Sequence, residues 1–122
     1  MAYAYDDHNI FAKILRGEIP NSTVTETEHT LAFNDIAPQA PTHVLVIPKG
    51  AYVCADHFMA EASDAELLDF HRTVARIVAD LGLQADGYRT IANAGSHGVQ
   101  EVPHYHLHIL AGRPLGRMLD KA

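Results

Sequence analysis

The hydrophobic positions in the first half of the chain predict one short helix and three strands. Residues 9–18 carry apolar side chains at the spacing of an amphipathic helix, and Asn9 can cap its first turn. The segments 22–27 and 30–34 are rich in strand-forming residues, and the short turn between them favours a hairpin. Residues 43–47 are apolar on both faces, which is typical of a central strand.

The second half predicts a long helix between less regular segments. Residues 63–82 keep apolar side chains at helical spacing, and Ser63 with Glu66 forms a capping box at the start. Residues 51–62 have no clear period and are expected to form a turn or a short helix. Residues 88–93 predict another strand. Because strands outnumber helices and do not alternate with them, the pattern favours an α+β fold with an antiparallel sheet.

The last predicted strand has an unusual set of polar positions. Residues 104–110 alternate histidine and apolar side chains, so a strand would place His104, His106 and His108 on one face. These are three of the chain's nine histidines. Because imidazoles pack poorly in a sheet and titrate near neutral pH, the pattern indicates a chemical role for this face.

Composition and charge narrow the class of protein. The chain has 122 residues, 48% hydrophobic and 20% charged, which suits one folded domain. A formal net charge of -6 argues against nucleic-acid binding, which needs a basic face. The single cysteine, Cys54, excludes an intramolecular disulfide. No signal peptide and no apolar run of about 20 residues is visible, so we expect a cytoplasmic protein without membrane contact.

Spacing alone leaves three interpretations of the histidine face open. Neighbouring histidines lie about 6.6 Å apart on a strand, but His104 and His108 lie about 13 Å apart. A metal site would therefore need a His-x-His pair and a distant ligand such as His43. Alternatively, Gly95 and Gly98 let backbone N–H groups approach a phosphate, which a neutral imidazole can attack. The third interpretation is a solvated face of hydrogen-bonded histidines.

Residues 104–110 match the signature of the histidine triad (HIT) superfamily, and the chain resembles its Hint branch, bacterial members in particular. The other matching segments are 9–14, 32–43, 46–49, 87–89, 98–102 and 112–116. The resemblance implies a single HIT domain over residues 1–122, with a short extension at 1–8 and a tail at 112–122. It also implies a five-stranded antiparallel sheet with one long and one short helix, continued across a homodimer.

The resemblance further implies a hydrolase that cleaves the P–N bond of purine nucleoside 5′-phosphoramidates through a nucleotidyl-histidine intermediate. The expected ligands are AMP, GMP or a nucleoside phosphoramidate of the AMP-lysine or AMP-NH2 type. No cofactor is expected, although the histidines also offer ligands for zinc. Two further functions stay open, namely a nucleotide-binding regulatory module with vestigial activity and a dinucleoside polyphosphate hydrolase.

Individual site residues follow from the same resemblance. His106 is expected to be the nucleophile, His108 to face the phosphate and leaving group, and His104 to support His106, partly through its main chain. His43 belongs to the same constellation, and Asp35 is expected to bind the ribose hydroxyls. The other nucleotide-binding residues that the resemblance implies are Asn93 and Gln100 near the phosphate, Val99 in the adjoining loop, and Ile10, Phe11, Ile14, Phe33 and Ile36 around the base.

Two positions in the loop before the histidines depart from the family's pattern. Val99 stands where many members have a second glycine after Gly98, and it is expected to change which N–H groups face the phosphate. Glu101 stands where animal members carry a hydroxyl residue, although bacterial members often have glutamate there.

Overall fold

The computed structural model describes residues 3–120. The first two residues of the predicted extension (Met1 and Ala2) and the last two of the predicted tail (Lys121 and Ala122) lie outside the described residues. The strands are β1 (Thr23–Glu26), β2 (Thr30–Asn34), β3 (Thr42–Pro48), β4 (Arg89–Ile91) and β5 (Leu107–Ala111). They form one antiparallel sheet in the order β1-β2-β3-β5-β4. The predicted hairpin, central strand and α+β class are therefore confirmed.

The helices begin where the sequence places their caps. They are α1 (Ile10–Leu15), α2 (Ala55–Glu61) and α3 (Asp64–Asp80). The Asn9 side chain accepts from the Ala12 N–H, and the predicted Ser63–Glu66 capping box is complete at the start of α3. No helix among the described residues is both long and apolar enough to cross a membrane.

Strand β3 separates two apolar clusters, one on each face of the sheet. Val44 and Val46 pack with α2 and α3, whereas Leu45 and Ile47 pack with α1. These residues are at most 5% exposed, because β3 has a strand on each side and a cluster on each face. Because His108 of β5 pairs with Leu45, its side chain lies on the α1 face of the sheet and not on the α3 face.

Strand β5 begins three residues later than the sequence predicts. The His104 N–H donates to a carbonyl two residues earlier, and the Tyr105 N–H donates to the Tyr52 carbonyl, so neither joins the ladder. The predicted separation of side chains is nevertheless present. Tyr105 lies in the cluster under α3, while His106 contacts the ring of Phe11 on the opposite side.

The segment without a clear period forms α2, so residues 3–120 contain three helices where the resemblance implies two. Only His57 and Phe58 of its seven residues are buried, which is too few for a visible helical period. Phe58 is 0% exposed, with ring centroids 5.1 Å from Phe70 and 5.2 Å from Tyr105. This short helix therefore supplies the centre of the larger core.

Candidate active site

A cleft of about 380 Å³ lies beside α1, between the loop after β2 and the loop before β5. Its volume falls within the range typical of small-molecule sites. A larger depression of about 550 Å³ near Gly82 and Arg113 is lined by none of the histidines. The predicted site residues that line the cleft are Ile10, Phe11, Ile14, Phe33, Asp35, Ile36, Asn93, Val99, His106 and His108.

His106 lies in the cleft with its tautomer set by the main chain. Its Nδ1 lies 2.7 Å from the His104 carbonyl oxygen, which can only accept, so Nδ1 carries the proton. The remaining nitrogen, Nε2, keeps a lone pair. Burial lowers the pKa of His106, which is 8% exposed, so the ring is neutral at pH 7. The result is a nucleophilic nitrogen that needs no prior deprotonation.

His43 fixes the opposite tautomer on His108. The Gln39 backbone N–H lies 3.0 Å from His43 Nδ1, so this nitrogen must accept and Nε2 must carry the proton. His43 Nε2 then donates to His108 Nδ1 at 2.9 Å, which leaves the proton of His108 on Nε2. Burial, with the adjacent rings of His106 and His43, lowers the pKa of His108 to about 4. His108 is therefore a neutral hydrogen-bond donor.

Asp35 joins the cleft to this histidine pair. Its Oδ2 lies 3.4 Å from His43 Nε2, and its Oδ1 accepts from the Ala37 N–H at 2.8 Å.

The register of β3 and β5 pairs Leu45 with His108, which makes His43 the diagonal neighbour of His108. This pairing explains how a histidine distant in sequence reaches the cluster.

His104 lies beneath the cleft and does not line it. It is 0% exposed, and burial lowers its pKa to about 4. Its Nε2 donates to the Pro48 carbonyl at 2.8 Å, and its Nδ1 lies 2.6 Å from the Tyr5 hydroxyl. Its main-chain carbonyl is the group that contacts a cleft residue, since it accepts from His106 Nδ1.

In the loop before β5, Val99 adopts a backbone conformation that usually requires glycine. Val99 has a φ of 56°, in the left-handed region, where a β-branched residue is strained. Gly98 is held for a different reason, since a Cβ there would lie 2.5 Å from the Ala94 carbonyl oxygen. The Val99 side chain is 68% exposed and lines the cleft, so this departure changes the wall that faces a ligand.

Gln100 points to the other side of the same loop. Its Nε2 donates to the Val53 carbonyl at 2.7 Å and to the Val102 carbonyl at 2.9 Å. It lines a shallow cavity with Tyr3 and Cys54, and it is not among the residues that line the cleft. Its amide group ties the loop to the segment before α2.

Two contributors to the histidine geometry are not predicted from the sequence. The Gln39 contribution is a backbone N–H, which no side-chain pattern can indicate. Tyr5 precedes α1 without any period, so its contact with His104 has no sequence signal either. The cleft-lining residues that the sequence does not predict as site residues are Ile19, Pro20, Asn21, Asn34, Gln39, Leu45 and Val102, with Glu101 noted only as a departure.

We expect the free energy of unfolding to fall as the pH drops from about 6.5 towards 4. The folded-state pKa values of His104 and His108 are about 4, below their usual 6.5. The unfolded chain therefore binds more protons in this window, and acid favours unfolding. Urea denaturation at a series of pH values measures the effect. Between pH of about 6.5 and 5 most carboxylates stay ionised, so constant stability there would contradict the expectation.

The sequence and the fold both relate the chain to known proteins. Residues 16–115 match the HIT domain family. The chain therefore belongs to the HIT domain family.

Its relatives include proteins similar over nearly the whole length. It is 55% identical, over 99% of both chains, to an uncharacterized 13.2 kDa HIT-like protein of Azospirillum brasilense. It is 45% identical to the purine nucleoside phosphoramidase of Escherichia coli, over 93% of this chain and 94% of that protein. A histidine triad protein from Clostridium difficile has a similar structure, with a TM-score of 0.81, 39% identity and coverage of 95% of this chain and 100% of the other.

Proposed function

We propose that the protein hydrolyses the P–N bond of purine nucleoside 5′-phosphoramidates through a nucleotidyl intermediate on His106. The observation that carries the proposal is the pair of opposite tautomers. His106 offers a lone pair on Nε2, and His108 offers an N–H on Nε2, with ring centroids 5.1 Å apart. A nucleophile and a donor on adjacent rings suit attack on phosphorus.

The reaction has two displacement steps. His106 Nε2 forms a bond to phosphorus as the P–N bond breaks, and the amine leaves with a proton from solvent. Water then attacks phosphorus and gives up a proton to solvent as the bond to His106 Nε2 breaks, which releases the nucleoside monophosphate and restores the lone pair of His106. Because the pKa of His108 is lowered to about 4, His108 acts by hydrogen bonding to a phosphoryl oxygen and not by giving up a proton.

The walls of the cleft support a purine nucleoside as the bound group. Phe11 and Phe33 meet edge-on at 5.6 Å and present apolar surface beside the exposed side chain of Ile36. Asp35 offers carboxylate oxygens that can accept from two ribose hydroxyls. Such a wall favours a flat base but does not distinguish adenine from guanine, so AMP and GMP derivatives are both expected.

The charges in the cleft favour a substrate with a single phosphate. Among the described residues, no lysine or arginine lines the cleft, whereas Asp35 and Glu101 do. A phosphoramidate with one negative charge can be held by N–H groups from His108 and Asn93. A dinucleoside polyphosphate brings several charges, which this cleft does not balance. We therefore propose the phosphoramidase activity ahead of polyphosphate cleavage.

A zinc ion fits the histidines less well than a phosphate does. Asp35, His43 and His108 each have a ligand atom within 4.8 Å of the others. However, the Gln39 N–H faces His43 Nδ1 at 3.0 Å, which forces the His43 proton onto Nε2, the atom that would bind the metal. We propose on this ground that the protein works without a resident metal.

We also propose a homodimer in which the sheet continues from one protomer to the other. Strands β1 and β4 are the edges of the sheet, and an unpaired edge can join a second copy. Sedimentation equilibrium at several concentrations tests this assembly, and a strictly monomeric mass would contradict it.

The decisive experiment uses the purified protein with an adenosine 5′-phosphoramidate. We expect release of AMP and, after a rapid alkaline quench that preserves the acid-labile P–N bond, a protein species heavier by one adenylyl group on the peptide that contains His106. Diadenosine polyphosphate is the comparison substrate and should react much more slowly. AMP binding without any turnover would instead support the regulatory module.

A further inference from the structure

Residues 3–9, here called the arm, precede α1 and reach the histidine cluster. The HIT family match begins at residue 16, so the arm lies outside it. The Tyr5 hydroxyl lies 2.6 Å from His104 Nδ1, and the two rings meet edge-on with centroids 5.6 Å apart. Asn9 Nδ2 lies 3.0 Å from the Tyr5 hydroxyl. The arm thus adds a chain of hydrogen bonds beneath the cleft.

The direction of each hydrogen bond in this chain is determined. The Pro48 carbonyl can only accept, so His104 Nε2 carries the ring proton and Nδ1 has a lone pair. Tyr5 must therefore donate to His104. The Asn9 amide nitrogen can only donate, so it donates a hydrogen bond to the hydroxyl oxygen of Tyr5. Because His104 is 0% exposed, its ring nitrogens depend on these protein partners.

The main chain of His104 is the part that touches the nucleophile. Its carbonyl accepts from His106 Nδ1 at 2.7 Å. Residue 104 lies before β5 begins, so no ladder hydrogen bond fixes it. We propose that Tyr5 is a positioning residue, which holds His104 so that its carbonyl stays on His106 Nδ1. This role rests on the proposed function, because it concerns the nucleophile of that reaction.

A second contact competes for the same role. The Tyr105 N–H belongs to the same peptide group as the His104 carbonyl, and it donates to the Tyr52 carbonyl at 2.7 Å. If this bond alone fixes the peptide, the Tyr5 hydroxyl is dispensable for catalysis. The two possibilities differ in what happens when only that hydroxyl is removed.

Tyr5→Phe keeps the ring and removes the hydroxyl. We expect kcat to fall about ten-fold with KM unchanged within about two-fold, because a loosened nucleophile slows attack without altering nucleotide contacts. Tyr3→Phe is the matched control, since Tyr3 lies on the same arm but donates to Asp56 and stacks on His57. It should keep the wild-type kcat. Equal kcat values for the two variants would overturn the proposal.

Asn9→Asp tests the same chain with Tyr5 in place. Aspartate keeps an acceptor for the Ala12 N–H, so α1 stays capped. It replaces the donor to Tyr5 by an acceptor, which competes with His104 for the tyrosine proton. We expect kcat to fall in this variant too. It decides the question if Tyr5→Phe does not fold, and a wild-type kcat would then count against the proposal.

Long-range ¹H–¹⁵N NMR of the histidine rings provides a measurement that needs no turnover. Tyr5→Phe should shift the ring nitrogen signals of His104 and His106, and Tyr3→Phe should shift neither. If the wild-type protein is inactive but Tyr5→Phe shifts these signals, the proposed function is contradicted and the role of Tyr5 is supported. An active wild-type protein whose His106 signals are unchanged by Tyr5→Phe would contradict the role of Tyr5 alone.

Discussion

His106→Ala is expected to lower turnover of a nucleoside phosphoramidate by at least about 10³-fold, because no other side-chain nitrogen among the described residues that line the cleft has a free lone pair. The proton of His108 lies on Nε2, since its Nδ1 accepts from His43. His104 is buried beneath the cleft with both ring nitrogens bonded. Neither ring can replace the lost nucleophile without exchanging its partners.

Nucleotide binding should survive the same change. The apolar walls and Asp35 are untouched, so the dissociation constant for AMP is expected to stay within a few-fold, as isothermal titration calorimetry can measure. His97→Ala is the control, because His97 is exposed and is not among the cleft residues. Turnover by His106→Ala within ten-fold of the control would mean that the reaction does not pass through this histidine.

The sequence predicts the sheet well because its signals are local. The β-branched hairpin, the strand that is apolar on both faces and the Ser63–Glu66 capping box each depend on neighbouring residues. All are present in the structure. The alternation in residues 104–110 also predicts the correct sides for the histidines, although the ladder begins only at Leu107. Side chains continue to alternate in the extended segment before β5, even though that segment makes no hydrogen bonds in the sheet.

The chemistry of the cleft depends on contacts that the sequence does not encode locally. The tautomers of His106 and His108 are set by the His104 carbonyl and the Gln39 N–H, both of which are main-chain groups. Gln100 shows the converse difficulty, since its side chain lies on the far side of the loop. The resemblance implies which residues lie near a bound phosphate, but the direction of each side chain depends on its contacts in the fold.

The larger core, on the face of the sheet opposite the cleft, includes a buried ring from α2, the helix that the hydrophobic pattern predicts least well. Phe58→Ala is expected to lower the free energy of unfolding by about 3–5 kcal/mol, a large share of the roughly 5–15 kcal/mol typical of a domain. Phe58 is 0% exposed and contacts three rings, those of Tyr52, Phe70 and Tyr105. Removing it leaves a cavity between α2, α3 and the segment that precedes β5.

Urea denaturation of a matched set separates this packing effect from a helix effect. Met59→Ala changes the next residue of α2, which is 57% exposed, and should alter stability by no more than about 0.5 kcal/mol. Phe58→Leu should lie between the two, because it leaves a smaller cavity. The Tyr105 N–H donates to the Tyr52 carbonyl and belongs to the same peptide group as the His104 carbonyl. Turnover should therefore be lowest in Phe58→Ala, intermediate in Phe58→Leu and highest in Met59→Ala. Equal losses for Phe58→Ala and Met59→Ala would show that α2 contributes its backbone and not this ring.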